Sequence, residues 1–482
     1  MSSGITLVGL GPGGSQLWTR AAYELLTQAD EVYLLTANHP AVGDIPGEIF
    51  DFDCRPECGS PEKMAAEVVR LGQRPEGVIF AVPGHPGLGD PLIPLIRQHA
   101  AAHNLPLKIV PGLSVIEPAL AALGLDAPDH LQVTTAGQLA NCYHPPLEPD
   151  RPALVTDITN AAQMVAIEQS LLNAYPGNFE VWLVQHIGTQ QQQAWSCPLF
   201  LLAKQPDLNT LTTLYLPADR HAGFSAFQAT IAHLRAPDGC PWDREQTHQS
   251  LRPYLLEETY EVLEALDAGD PAALAEELGD LLLQIVLHAQ VAIDAGEFNM
   301  GQVIDHINRK LLRRHPHVFG NVVVNGVDDV TANWEAIKKA EKAANGQSEA
   351  PPSALDGLPP ALPALAQALT VSKRAARVGF EWANIEGVLD KVIEEAREIV
   401  EADRPEQLES EIGDLLFSVV NLARWRNIDP ESALRATNAR FSRRFRQIEA
   451  LAAARGQRLP DLSIEEMDAL WEQAKHIERN GQ

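Results

Sequence analysis

Two short acidic patterns carry the chemistry this sequence advertises. Glu257-Glu258-Thr259-Tyr260-Glu261 is followed by Glu277-Leu278-Gly279-Asp280, and Glu394-Glu395-Ala396-Arg397-Glu398 by Glu411-Ile412-Gly413-Asp414. Carboxylates three residues apart stand on one face of a helix about a turn apart, so each pair can grip one cation. Two such pairs on neighbouring helices would put four carboxylates around a common point. Magnesium suits such a set, because it takes hard oxygen ligands and leaves positions for water and substrate phosphate. Two ions held close together could polarise a phosphate and activate an attacking water.

The acids do not repeat alone. Glu258 and Glu395, and Glu261 and Glu398, are 137 residues apart; Glu277 and Glu411, and Asp280 and Asp414, are 134 apart. Lys310 with Arg313-Arg314 is matched by Arg440 with Arg443-Arg444, and Trp334 and Lys338 by Trp471 and Lys475. Gly-Asp-Leu-Leu occurs in both copies, so an internal duplication is the economical explanation. A single acidic helical turn is usually a solvated surface. Here Leu278, Leu281, Leu282 and Leu283 flank Glu277 and Asp280, which predicts a largely buried helix whose carboxylates need a partner or a metal. The downstream cations would neutralise phosphate charge.

The elements that must position these residues follow from the hydrophobic patterning. Ile5–Val8, Glu31–Leu35, Gly77–Val82, Ala153–Val155, Phe179–Val184 and Leu211–Leu216 read as strands, and Leu17–Gln28 as a helix. Strand signals then stop. From about Phe224 onward the chain reads as long helices, among them Pro253–Leu266 and Ala272–Ala295. A stretch rich in Pro, Gly and Ser, about Asn345–Pro363, divides this half. The expected architecture is multidomain: an α/β domain over 1–220, helical modules over 221–345 and 364–482, and a linker at 346–363.

Bulk composition narrows the function classes. The 482 residues are 45% hydrophobic and carry a formal charge of −27. That charge opposes general affinity for nucleic acid but not for a small phosphate ligand that brings its own cation. No stretch reads as about 20 uncharged apolar residues, and Met1-Ser2-Ser3-Gly4-Ile5 does not open an export signal, so a cytoplasmic protein without a membrane partner is expected. The five cysteines read as ordinary reduced thiols; Cys54 and Cys58 are the only close pair, and nothing nearby completes a zinc set.

The helical half resembles the all-α nucleoside triphosphate pyrophosphohydrolases of the MazG type. The resemblance rests on the acidic pairs, on Cys240-Pro241-Trp242-Asp243-Arg244-Glu245-Gln246-Thr247-His248 ahead of the first, and on Arg313-Arg314-His315-Pro316-His317-Val318-Phe319-Gly320. It covers roughly Phe224 to Gln482 as two tandem modules. It implies magnesium-dependent cleavage of nucleoside triphosphates between the α and β phosphates, within a homodimer or higher homo-oligomer. By matching positions, Glu258, Glu261, Glu277 and Asp280 would hold metal in the first module, and the catalytic residues would be Glu258, Glu261, Lys310 and Arg314 there and Glu395, Glu398 and Arg444 in the second. Lys310, Arg314, Trp334 and Lys338 would meet phosphates and nucleotide. The second module offers Glu395, Glu398, Glu411 and Asp414 with Arg444, Trp471 and Lys475, and departs from the pattern in having Arg440 where lysine is usual. Trp242 and Trp382, each ahead of an acidic helix, are placed either to stack on a base or to anchor a helix start.

Gly9-Leu10-Gly11-Pro12-Gly13-Gly14 follows the first strand. A dinucleotide loop is disfavoured, since the second strand ends Leu34-Leu35-Thr36 without the acid that would hold a ribose. The loop resembles the opening of the tetrapyrrole methylase family, as do Pro83-Gly84-His85-Pro86 and Val110-Pro111-Gly112-Leu113-Ser114, with coverage from Ile5 to about Pro217. That implies S-adenosylmethionine near Leu10, Pro12, His85, Leu88, Ser114 and Val115. Three readings therefore stand: a triphosphate pyrophosphohydrolase serving nucleotide-pool housecleaning; a methyltransferase whose helical modules serve dimerisation or nucleotide sensing; and a binding protein without turnover. The complete set in the first module favours hydrolysis.

Overall fold

The computed structural model describes residues 3–52, 60–88, 91–126, 129–158, 160–205, 212–344 and 353–480. Cys54, Cys58, Leu211 and the first part of the linker lie outside the described residues. The chain forms two compact units, Met1–His248 with Val286–Val291, and Gln249–Ile285 with Ala292–Gln482.

Among the described residues the first unit holds ten strands: β1 Ile5–Gly9, β2 Glu31–Leu34, β3 Glu48–Asp51, β4 Val78–Val82, β5 Leu107–Val110, β6 Gln132–Thr135, β7 Ala153–Ile158, β8 Glu180–Gln185, β9 Gln193–Pro198 and β10 Thr212–Leu216. They make two five-stranded sheets, ordered β3-β2-β4-β1-β5 and β6-β7-β10-β8-β9. Every pairing in the first sheet is parallel, with Ile5 opposite Val78 and Leu107. In the second only β6 and β7 run parallel. Helices α1 Arg20–Thr27, α2 Pro61–Gly72, α3 Leu92–Ala102, α4 Ile116–Ala122, α5 Ala136–Ala140, α6 Ala161–Leu171, α7 Phe224–Leu234 and α8 Pro241–Glu245 complete it. The uninterrupted burial of β4 is what a strand covered on both faces requires.

Three glycines fix how the loops after β1, β4 and β5 cross. Gly11 and Gly84 exchange backbone hydrogen bonds at 3.2 and 2.8 Å. A methyl group on Gly112 would strike the Gly84 carbonyl and come 2.8 Å from the Gly9 Cα. The glycine-rich opening is thus demanded by neighbouring backbone, not by a pyrophosphate.

The remaining helices are α9 Arg252–Ala268, α10 Pro271–Ala295, α11 Met300–Arg314, α12 Pro316–Phe319, α13 Val327–Ala344, α14 Ala364–Arg377, α15 Ile385–Glu401, α16 Pro405–Trp425, α17 Pro430–Ala454 and α18 Ile464–Asn480. The α9–α10 turn is written in three residues. Gly269 takes the left-handed conformation that ends α9, Asp270 accepts from Ala272 and Ala273 N–H as N-cap, and Pro271 sits where no hydrogen-bond donor is needed. Asp429 with Pro430 repeats the device at α17.

One expectation changes. The helix bearing Glu277 is not largely buried: Leu278 and Leu282 are 48% and 37% exposed. A single chain leaves this apolar face uncovered. Among the described residues α10 is also the one helix long and apolar enough to pass for a membrane span by length and composition, although it carries Glu277 and Asp280. Its acidic residues belong to the cluster described next.

Candidate active site

Helices α9 and α10 bring Glu258, Glu261 and Glu277 together, one oxygen from each lying within 4.8 Å of the others. Asp280 stands outside that closest group but near enough for its charge to act on Glu258. The Glu258 carboxyl is pushed above its ordinary value, first by burial and then by the charges of Asp280 and Glu261. Glu277 is raised by burial, Glu261 and Asp280. Like charges crowded this way need protons or a cation. Oxygen-only donors at this spacing fit a hard divalent ion.

The second copy is built from α15 and α16, where Glu395, Glu411 and Asp414 converge within the same 4.8 Å. Here Glu398 is the outlying member, raised by burial and by Glu395 and Glu411. Glu395 is buried, and Lys391, one turn earlier, holds it at 2.7 Å. Tyr254 occupies the corresponding place in the first copy, 137 residues earlier, so that copy has no counterpart of the Lys391–Glu395 pair.

The basic residues are arranged in parallel. Arg314 sits 5.3 Å from the Trp334 ring, and Arg444 5.9 Å from Trp471. Both arginines are bound by a glutamate the sequence reading passed over: Arg314 to Glu341 at 2.6 Å, Arg444 to Glu478 at 2.7 Å. The 137-residue spacing of these glutamates was the available signal. Lys310 and Lys338 have no acidic partner among the described residues, whereas Lys475 is paired with Glu472 at 2.5 Å. Arg440 is exposed and donates to Thr437. Trp242 is half exposed. Trp382 lies against Gly387 at the start of α15, the helix-anchoring arrangement.

In the first unit a cavity of about 80 Å³ is lined by Pro12, His85, Leu88 and Val115 from the expected set. Leu10, the residue after β1, is fully buried in the core and does not line it. Ser114 is also absent from the lining; its hydroxyl donates to Glu117 and accepts from the Ile116 N–H. Sequence reading missed Thr156, Asp157 and Thr212, which come from the second sheet. Asp157 has φ +61°, and its carboxyl is raised by surrounding protein although the cavity keeps it reachable by water. Thr212 is buried, and its hydroxyl has no hydrogen-bond partner among the described residues. His39 accepts from Ala41 N–H through Nδ1, so its proton lies on Nε2 and is donated to the Gly11 carbonyl at 2.9 Å. Burial lowers its pKa, holding it neutral.

Comparison with known proteins agrees with this division. The MazG nucleotide pyrophosphohydrolase domain matches residues 246–319 and 384–448, and the tetrapyrrole (corrin/porphyrin) methylases match 4–203. The uncharacterized protein YabN of Bacillus subtilis is 38% identical over 99% of this chain and all of its own length. The nucleoside triphosphate pyrophosphohydrolase/pyrophosphatase MazG of Thermotoga maritima is 46% identical over 52% of this chain and 95% of its own. The crystal structure of uroporphyrin-III-C-methyltransferase from Thermus thermophilus superposes with a TM-score of 0.37 at 19% identity, covering 46% of this chain and 94% of that one.

Proposed function

Because the chain belongs to the MazG nucleotide pyrophosphohydrolase family, with a tetrapyrrole methylase domain ahead of two MazG modules, we propose that it hydrolyses nucleoside triphosphates to monophosphate and pyrophosphate. The observation that carries this reading is the duplicated carboxylate cluster, three oxygens within 4.8 Å in each module. Glu258, Glu261 and Glu277, with Asp280 beside them, would hold divalent metal in the first module; Glu395, Glu411 and Asp414, with Glu398, would hold it in the second. Magnesium bound there supplies positive charge to the phosphate oxygens and to the attacking water. Lys310 and Lys338 meet the triphosphate, and Arg314 offers the edge of its guanidinium that Glu341 leaves free. Water adds at the α phosphorus, the bond from that phosphorus to the α–β bridging oxygen breaks, and pyrophosphate leaves with its charge met by these cations.

The exposed apolar residues on the cluster-bearing helices, including Leu256, Leu278, Ile393 and Leu416, support assembly as a homodimer or higher homo-oligomer. Clearance of surplus or non-standard nucleotides in the cytoplasm is the use this chemistry suits. Hydrolysis in ¹⁸O-labelled water tests the bond assignment: label in the monophosphate supports attack at the α phosphorus, and label only in pyrophosphate contradicts it.

A second activity has its own support. The cavity lined by Pro12, His85, Leu88 and Val115 is also lined by Thr212, whose buried hydroxyl has no hydrogen-bond partner among the described residues. We propose that this cavity receives part of S-adenosylmethionine, since about 80 Å³ is too small to enclose the whole molecule. Calorimetric titration with S-adenosylhomocysteine tests this, and absence of saturable binding would remove the assignment.

A further inference from the structure

We infer that Glu341 and Glu478 are positioning residues that aim Arg314 and Arg444 at the nucleotide's phosphates, one in each module; this rests on the hydrolase reading above.

The geometry is the argument. Arg314 donates from Nε and Nη2 to the two oxygens of Glu341, at 3.3 and 2.6 Å, so both guanidinium rotation and tilt are fixed. Arg313 donates to the same carboxylate at 2.7 Å. The Nη1 group of Arg314 makes no hydrogen bond among the described residues. In the second module Arg444 donates from Nε to Glu478 at 2.7 Å, and Arg443 from Nη2 at 3.1 Å. There both Nη groups of Arg444 stay free of hydrogen bonds among the described residues. Each arginine also lies near a tryptophan ring, Trp334 or Trp471, carried on the helix that carries the glutamate. A guanidinium held by one edge presents the other, and a free N–H edge suits phosphate oxygens.

Two features separate positioning from simple helix tethering. Glu341 and Glu478 are 137 residues apart, the spacing of Trp334 and Trp471, while the tandem arginines are 130 apart. The pair has therefore kept its partners although the segment between arginine and glutamate differs in length. Each glutamate also takes both arginines, and Arg314, which Glu341 grips through two nitrogens, is only 18% exposed against 57% for Arg313. A tether needs only one exposed pair. Binding both guanidinium groups drives the Glu341 carboxyl down to about 2, so it stays charged at every working pH.

The test uses the full chain with Glu395→Gln and Glu411→Gln, which confines metal to the first module. Binding of inorganic pyrophosphate with magnesium is read by calorimetry, and turnover and thermal unfolding are measured separately. Glu341→Gln is expected to weaken pyrophosphate binding about tenfold, as loss of one oriented charge-assisted contact would. Arg314→Met should do the same, and the double variant no more than Arg314→Met alone. Glu341→Asp, which keeps the charge, should recover part of the affinity. Unchanged binding in Glu341→Gln, with only a lower unfolding temperature, overturns the inference, as does a parent that binds no pyrophosphate. A parent that binds pyrophosphate normally yet hydrolyses no triphosphate instead defeats the hydrolase reading alone.

Discussion

Replacing Glu258 by Gln should stabilise the metal-free protein and abolish most of its stabilisation by magnesium in the first module. The ligand oxygens of Glu258, Glu261 and Glu277 lie within 4.8 Å of one another. At that separation two unit charges repel by about 0.9 kcal/mol in water and about 3.5 kcal/mol at an effective dielectric of about 20. Glu258 is only half-buried, which puts the real figure near the water limit, about 1 kcal/mol for each neighbour. Relief of about 2 kcal/mol corresponds to a rise of about 4 to 8 °C in unfolding temperature for a unit of this size. The intact cluster gains in the opposite condition: a cation at a hundred times its dissociation constant stabilises by about 2.7 kcal/mol. Thermal unfolding of parent and variant, each in chelator and in magnesium, should therefore give curves that cross. The variant should melt higher in chelator and gain less from the ion. A variant that melts lower in chelator and keeps the full magnesium shift would refute the cluster as a cation site.

The same crowding sets a pH dependence. Glu258, Glu277 and Glu398 are raised, so their contribution to stability is present below the ordinary carboxylate range and lost as pH rises through their folded values. Magnesium should thus raise the unfolding temperature little at pH 5 and much more at pH 8, and an equal rise at both would contradict this. Glu341, held near 2, acts oppositely: its contribution exists above about 4.5 and fades as pH falls toward 2. Arg440→Lys, in a chain whose first module is silenced by Glu261→Gln, should raise second-module turnover about three- to tenfold if reach to the phosphate matters; a steady-state assay decides. Thr212→Val should stabilise the ligand-free first unit by about 1 kcal/mol in urea unfolding, because an unsatisfied buried hydroxyl disappears. It should also weaken S-adenosylhomocysteine. Gly112→Ala should destabilise the same unit by about 1–3 kcal/mol by driving a methyl group into the Gly84 carbonyl, with pyrophosphate release unaffected.

The acidic clusters were legible because helical spacing turns sequence offsets into geometry, and duplication marked which offsets mattered. What spacing could not give is which three of four carboxylates converge: Asp280 stands apart in one module and Glu398 in the other. The strands β1, β2, β4, β7, β8 and β10 followed from apolar runs. The four edge strands β3, β5, β6 and β9 did not, since Glu48–Asp51 is bounded by acids and Gln193–Pro198 is too polar to stand out. Of the loop after β1, Pro12 lines the cavity, whereas the Leu10 side chain packs into the core, a difference that spacing along a loop does not encode. Thr212 and Asp157 were invisible for another reason. They reach the cavity from strands far along the chain, and no local pattern announces such a meeting.

The most direct test of the account is to incubate the purified full chain with a panel of nucleoside triphosphates, with and without magnesium, and to measure pyrophosphate and orthophosphate separately. The account predicts magnesium-dependent pyrophosphate, equimolar with monophosphate, lost when Glu261→Gln and Glu398→Gln are combined. Orthophosphate as the product, or turnover that survives both substitutions, would contradict it.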